Sequence, residues 1–134
     1  MPRWALAGVL YKSGHLEESQ RMFEELHAED PTMYSFQSYL GMLAARLGER
    51  AEAGRFDAML AADGPSWNVY DAASRIYWRG CIAALLGERE RAVSLLREAL
   101  AAGLPWTLDS IHGGPDLEPL RDYQPYRELV RLKG

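Results

Sequence analysis

The residues able to do covalent or metal chemistry are few and far apart in this chain. Cys81 is its single cysteine. A thiol becomes a nucleophile when a nearby base or cation favours the thiolate, and no His or Asp stands one helical turn from Cys81 to do so. A small buried apolar role is expected for it. One cysteine also excludes an internal disulfide and a paired-cysteine zinc site, and suits a reducing compartment, so a cytoplasmic location is expected. His15, His27 and His112 could ligate a metal only if the fold gathered them, and no His-x-x-x-His spacing prepares that. Glu17, Glu18, Glu24, Glu25, Glu88 and Glu90 mostly sit beside Arg or Lys on polar helix faces, a pattern that serves solubility. His112-Gly113-Gly114-Pro115 holds two glycines but lacks the lysine and the preceding strand of a phosphate-cradling loop. The expectation is a protein that is not an enzyme, with no cofactor and no metal.

The elements around these residues belong to a soluble chain. Of 134 residues, 48% are hydrophobic and 25% charged, enough apolar material for one packed domain. The net charge is -4, and acidic and basic side chains alternate along the chain, which disfavours a nucleic-acid partner. The apolar run Trp4 to Tyr11 is too short to span a bilayer and lacks a cleavage pattern, so it reads as a first helix and no membrane partner is expected.

The chain repeats itself. A glycine inside an apolar segment is followed six or seven residues later by a second glycine, and five further on by a small residue. The three sets are Gly8, Gly14, Ser19; Gly41, Gly48, Ala53; and Gly80, Gly87, Ala92. The first two are offset by 33 or 34 residues and the last two by 39, which places a five-residue insertion in the Ala61 to Trp67 stretch. Phe23 and Leu26, Phe56 and Leu60, and Leu96 and Leu100 close the units at helical spacing.

These spacings predict helical hairpins. Gly14, Gly48 and Gly87 follow the last apolar residue of a first helix, where a left-handed backbone ends it without a β-carbon clash. Gly8, Gly41 and Gly80 lie inside helices, where glycine costs about 1 kcal/mol in propensity, and close approach of Ser19, Ala53 or Ala92 on the second helix is the expected reason. Pro31, Pro65 and Pro105 fall between hairpins, with Asp30-Pro31 as an N-cap and first-turn proline. Six helices are predicted at about 3–13, 16–28, 32–47, 49–62, 68–86 and 88–102. Asp116-Leu117-Glu118-Pro119 and Asp122-Tyr123-Gln124-Pro125 each look like an acidic cap with a first-turn proline. The latter should open a last amphipathic helix burying Tyr126, Leu129, Val130 and Leu132.

Trp4, Gly8, Tyr11, Gly14, Ser19, Phe23, Leu26 and Pro31, in that order, resemble the tetratricopeptide repeat signature. The second unit resembles it through Leu40, Gly41, Gly48, Ala53 and Leu60, and the third through Gly80, Gly87, Ala92, Leu96 and Ala99. The segment Gly114 to Asp122, followed by Tyr126-Arg127-Glu128-Leu129, is similar to the tail that ends such arrays in bacterial kinases, nucleotide cyclases and transcriptional activators. The resemblance implies one all-α domain over 1–134, a right-handed alpha-alpha superhelix of three helical hairpins. The repeats would span about 1–31, 32–65 and 66–103, with a C-terminal capping helix within 104–134.

The function it implies is a protein–protein interaction or regulatory module holding a peptide or protein partner in a concave groove. By similarity the groove would be lined by Ala5 and Val9, by Ser38, Met42, Ala45 and Arg46, and by Tyr77, Cys81 and Ala84, with Tyr39 and Trp78 at its margin. Arg46 would be its charged anchor. The alternative for Tyr39, Tyr77 and Trp78 is simple packing between neighbouring helices. Ala5, Val9, Ser35, Tyr39, Ser74 and Trp78 stand where chaperone-binding relatives hold a peptide carboxylate with Lys and Asn, so that mode is not expected. Three alternatives stay open: a regulatory segment of a larger bacterial signalling protein, an enzyme with an unrecognised pocket, and a homo-oligomer formed through the first helix.

Overall fold

A computed structural model describes residues 1–62, 69–104 and 115–133 of the chain. These residues are helical, with no strand among them. In chain order the elements are α1 (Arg3–Lys12), α2 (Leu16–Glu29), α3 (Tyr34–Arg46), α4 (Arg50–Ala61), α5 (Val69–Leu85), α6 (Arg89–Ala101), a 3-10 helix (Pro115–Leu120) and α7 (Gln124–Lys133). The chain divides into two units, Met1–Met59 and Leu60–Gly134. The predicted six helices and the closing helix all form, most with ends within two residues of expectation. The expected insertion, Pro65, Pro105 and His112-Gly113-Gly114 lie outside the described residues.

The hairpin turns follow from their glycines. Gly14, Gly48 and Gly87 have φ of 88°, 78° and 82°, a region that a β-carbon makes costly. That conformation turns the next amide back onto the helix just ended. His15 N donates to Leu10 O at 2.9 Å, Glu49 N to Ala44 O at 2.8 Å and Glu88 N to Ala83 O at 2.9 Å. Carbonyls that would end the helix unpaired are thereby satisfied. Gly103, with φ 108°, ends α6 in the same way through Leu104 N to Ala99 O at 3.0 Å.

In the first unit α1 packs on α2 and α2 on α3. Ala7, Tyr11, Phe23 and Leu26 are buried there, as are Leu40, Met42 and Leu43 of α3. The buried hydroxyl of Ser19 donates to the Ala7 carbonyl at 2.8 Å, so the small residue of the second helix does approach the first, one residue before Gly8. The expected N-cap at Asp30 does not form. The Asp30 carboxylate accepts from the Thr32 hydroxyl at 2.8 Å and from its amide at 3.3 Å, closing a local turn, and α3 starts only after Met33.

In the second unit α5 packs on α6, the 3-10 helix on α5 and α7 on α6. Gly80 meets the close approach expected of it: a β-carbon there would lie 3.2 Å from Leu96 Cδ2 and 3.5 Å from the Ala92 carbonyl. The buried Arg75 donates from Nε to the Leu60 carbonyl at 3.1 Å, satisfying an acceptor in the last turn of α4. Pro119 lies within the 3-10 helix and not at the head of an α-helix, whereas Pro125 occupies the first turn of α7 as expected. Tyr126 and Leu129 of α7 are buried, Val130 is half-buried, and Arg127, Glu128 and Arg131 face solvent. The side chain of Leu132 lies outside the described residues. Arg89 of α6 reaches over the ring of Tyr123 at the head of α7, 5.8 Å from its centre.

Candidate functional site

Within the first unit, α1 and the start of α3 stand apart and leave a groove of about 540 Å³. The α1 wall is Trp4, Ala5, Gly8, Val9 and Lys12, whose spacing sets them on one helical face. The opposite wall is Met33, Ser35, Phe36 and Tyr39, and the floor is Phe23 of α2. The aromatic rings hold one another in place. Tyr39 stacks on Phe23 with centroids 4.5 Å apart and planes 8° from parallel, and Tyr11 meets Tyr39 edge-on at 5.4 Å. Phe36 leans against Phe23 at 6.2 Å. Pairs of this kind each contribute about 0.5–1.5 kcal/mol beyond area burial, which favours this arrangement of the rings.

The rim remains apolar although it faces water. Trp4 is 59% exposed, Val9 50% and Met33 42%. Lys12 is the sole charged side chain among the lining residues. They include no carboxylate, imidazole or thiol, so the groove offers shape, apolar area and one cation, with no acid–base pair.

Of the residues expected to line the concave groove, Ala5, Val9 and Tyr39 border this α1/α3 hollow. Arg46 is exposed and its Nε donates to the Tyr11 hydroxyl at 2.7 Å, so the expected anchor for a ligand braces α1 against α3. Met42 and Cys81 are fully buried, as is Ala84, and Ala45 is nearly so. Ser38 is buried too, its hydroxyl donating to the Tyr34 carbonyl one turn back at 2.8 Å. These are core positions.

Tyr77 is buried as well, and its hydroxyl is hydrogen-bonded with the Cys81 thiol. Burial, above all, together with Cys81, Asp116 and Tyr126, pushes the Tyr77 phenol far above its ordinary value, and burial also raises Tyr126. Asp116 and Tyr126 belong to the tail, which therefore lies on the α5 face that was expected to be open. Trp78 is half-buried, edge-on to Tyr77 at 5.1 Å, which fits the packing alternative for that pair. Cys81 thus takes the small apolar role its isolation suggested.

Trp4, Met33 and Phe36 are not among the residues expected to line a groove, although Met33 and Phe36 are three apart at the head of α3 and Trp4 opens the apolar run of the first helix. Among the described residues no group of three His, Cys, Asp or Glu is placed to hold a metal ion, and no helix is long and apolar enough to cross a membrane. Comparison with protein-family models, with curated proteins and with solved structures finds no match to this chain.

Proposed function

We propose that the chain is an interaction module of the tetratricopeptide type, a right-handed superhelix of three hairpins with a capping tail, whose α1/α3 groove holds a segment of a partner protein. The observation that carries this reading is the aromatic-floored groove with Trp4, Val9 and Met33 exposed around it. Burying a large apolar side chain is worth about 1.5–3 kcal/mol, and several gathered round one concavity mark a surface suited to being covered. The three left-handed glycine turns at matching repeat positions support the repeat reading.

Replacing Val9 with a photo-crosslinking amino acid in the producing cell tests it. The groove reading predicts capture of one reproducible polypeptide segment, with little capture from the exposed Ser94 of α6. Equal capture from both positions, or none from Val9, would sink it.

A further inference from the structure

Gly8 and Gly80 hold matching positions in the repeat, yet their surroundings differ. At Gly80 the neighbouring helix fills the space where a side chain would go, at 3.2 Å. At Gly8 the nearest atom to a β-carbon would be the Tyr39 hydroxyl at 3.7 Å, an ordinary contact. Packing within the first unit therefore does not require glycine at position 8, although glycine is a poor residue for a helix interior. What its missing side chain does is leave the groove open between Trp4 and Tyr39, above the Phe23 ring.

Charge adds a second constraint. Arg3, the other cation of α1, is held by Glu29 at 2.6 Å and lies 4.0 Å from Glu25. Lys12 makes no ion pair among the described residues and borders the groove. It lies four residues beyond Gly8, about 6 Å along the helix axis. In an extended peptide, residues two apart face the same way and are separated by about 6.6 Å. A side chain two residues from one seated over Gly8 therefore falls near the Lys12 turn when the peptide runs along α1.

Resting on the groove-binding reading, we infer that the α1/α3 groove selects an extended peptide segment with one bulky apolar side chain, seated over Gly8, and a carboxylate two residues away, facing Lys12. The net charge of -4 gives an acidic peptide no general attraction to this protein, so its preference is local to Lys12 and weakens with salt.

Selection from a displayed library of random heptapeptides, with the full chain as bait, tests this, followed by calorimetric titration of the most enriched peptide. The wild type should enrich Phe, Leu, Met or Trp with Asp or Glu two positions away. Gly8→Leu, which fills the groove, should weaken binding about ten- to hundredfold at an unchanged melting temperature. Should that variant melt early, Val9→Asp at an exposed position should repel the same peptide. Lys12→Glu should turn the acidic preference into a basic one.

Enriched apolar peptides that depend on Gly8 but show no acidic preference, or one unmoved by Lys12→Glu, would overturn this inference and leave the groove reading standing. Peptides indifferent to both groove variants, or no enrichment at all, would overturn both. A concentration-dependent dimer of the wild type that Gly8→Leu abolishes would make a second copy the occupant and overturn the inference.

Discussion

The Nε of Arg46 donates a 2.7 Å hydrogen bond to the Tyr11 hydroxyl, while the Arg46 guanidinium carbon lies 5.1 Å from the centre of the same ring. One side chain thereby ties α3 to α1, the two walls of the groove. A long, exposed arginine loses conformational freedom in this pose, which both the hydrogen bond and the cation–π contact offset.

A double-mutant cycle on Arg46→Met and Tyr11→Phe should return a coupling of about 1 kcal/mol in chemical denaturation. Arg46→Lys should recover only part of it, because an ammonium lacks the planar fork that bonds the hydroxyl and covers the ring together. Strictly additive single changes would show that the contact does not hold the walls.

The two helix-interior glycines should respond in opposite directions. Gly8→Ala meets only an ordinary contact and should stabilise the protein by up to about 1 kcal/mol through helix propensity. Gly80→Val must displace Leu96 and should destabilise it by about 1–3 kcal/mol. Loss of stability on Gly8→Ala would refute the open space assigned to that position.

His27 should make stability depend on mild acid. Its ring lies edge-on to Phe56 at 5.7 Å, its Nδ1 is buried without a hydrogen-bond partner among the described residues, and burial, then the Arg55 charge, lowers its pKa below the ordinary value. Glu24, Glu49 and Glu52 border the same hollow, and Glu52 is held by Arg55 at 2.9 Å. With the folded pKa depressed, the unfolded chain takes up the proton first. The neutral ring's contribution is therefore fully present above about pH 6.5 and falls as pH drops below it. Melting temperatures of the wild type between pH 7.5 and 5 should fall more steeply than those of His27→Gln; parallel curves would contradict this.

Cys81 should be silent in the folded protein. Fully buried and hydrogen-bonded with Tyr77, it should react with a thiol reagent orders of magnitude more slowly than the same chain in denaturant. The rate should rise when Leu117→Ala loosens the 3-10 helix packed on α5. Rapid labelling of the native wild type would mean that the tail does not cover this face.

The features legible in the sequence were those set by a few adjacent residues. Gly14, Gly48 and Gly87 announced their turns because a left-handed residue after an apolar helix has few other uses. Gly103 follows the same rule with Ala102 and Leu104, but it lies outside the three matched sets of the repeat, so the spacing drew no attention to it. Which faces stay open was not legible in that way. Tyr77 and Cys81 carry the spacing of groove residues, yet Asp116 and Tyr126, some forty residues on, lie beside them. Helical periodicity says which residues share a face but not what distant segment lands on it. Asp30 misled for a local reason: Thr32 offered its carboxylate partners before a helix could.

Chemical-shift mapping of the isotope-labelled full chain, titrated with the most enriched acidic–apolar heptapeptide, locates the bound peptide directly. Groove binding predicts saturable shifts concentrated at Trp4, Gly8, Lys12, Met33 and Tyr39, with α6 and α7 unmoved. Shifts centred on α6 or α7, or none at peptide concentrations that saturate the calorimetric titration, would contradict it.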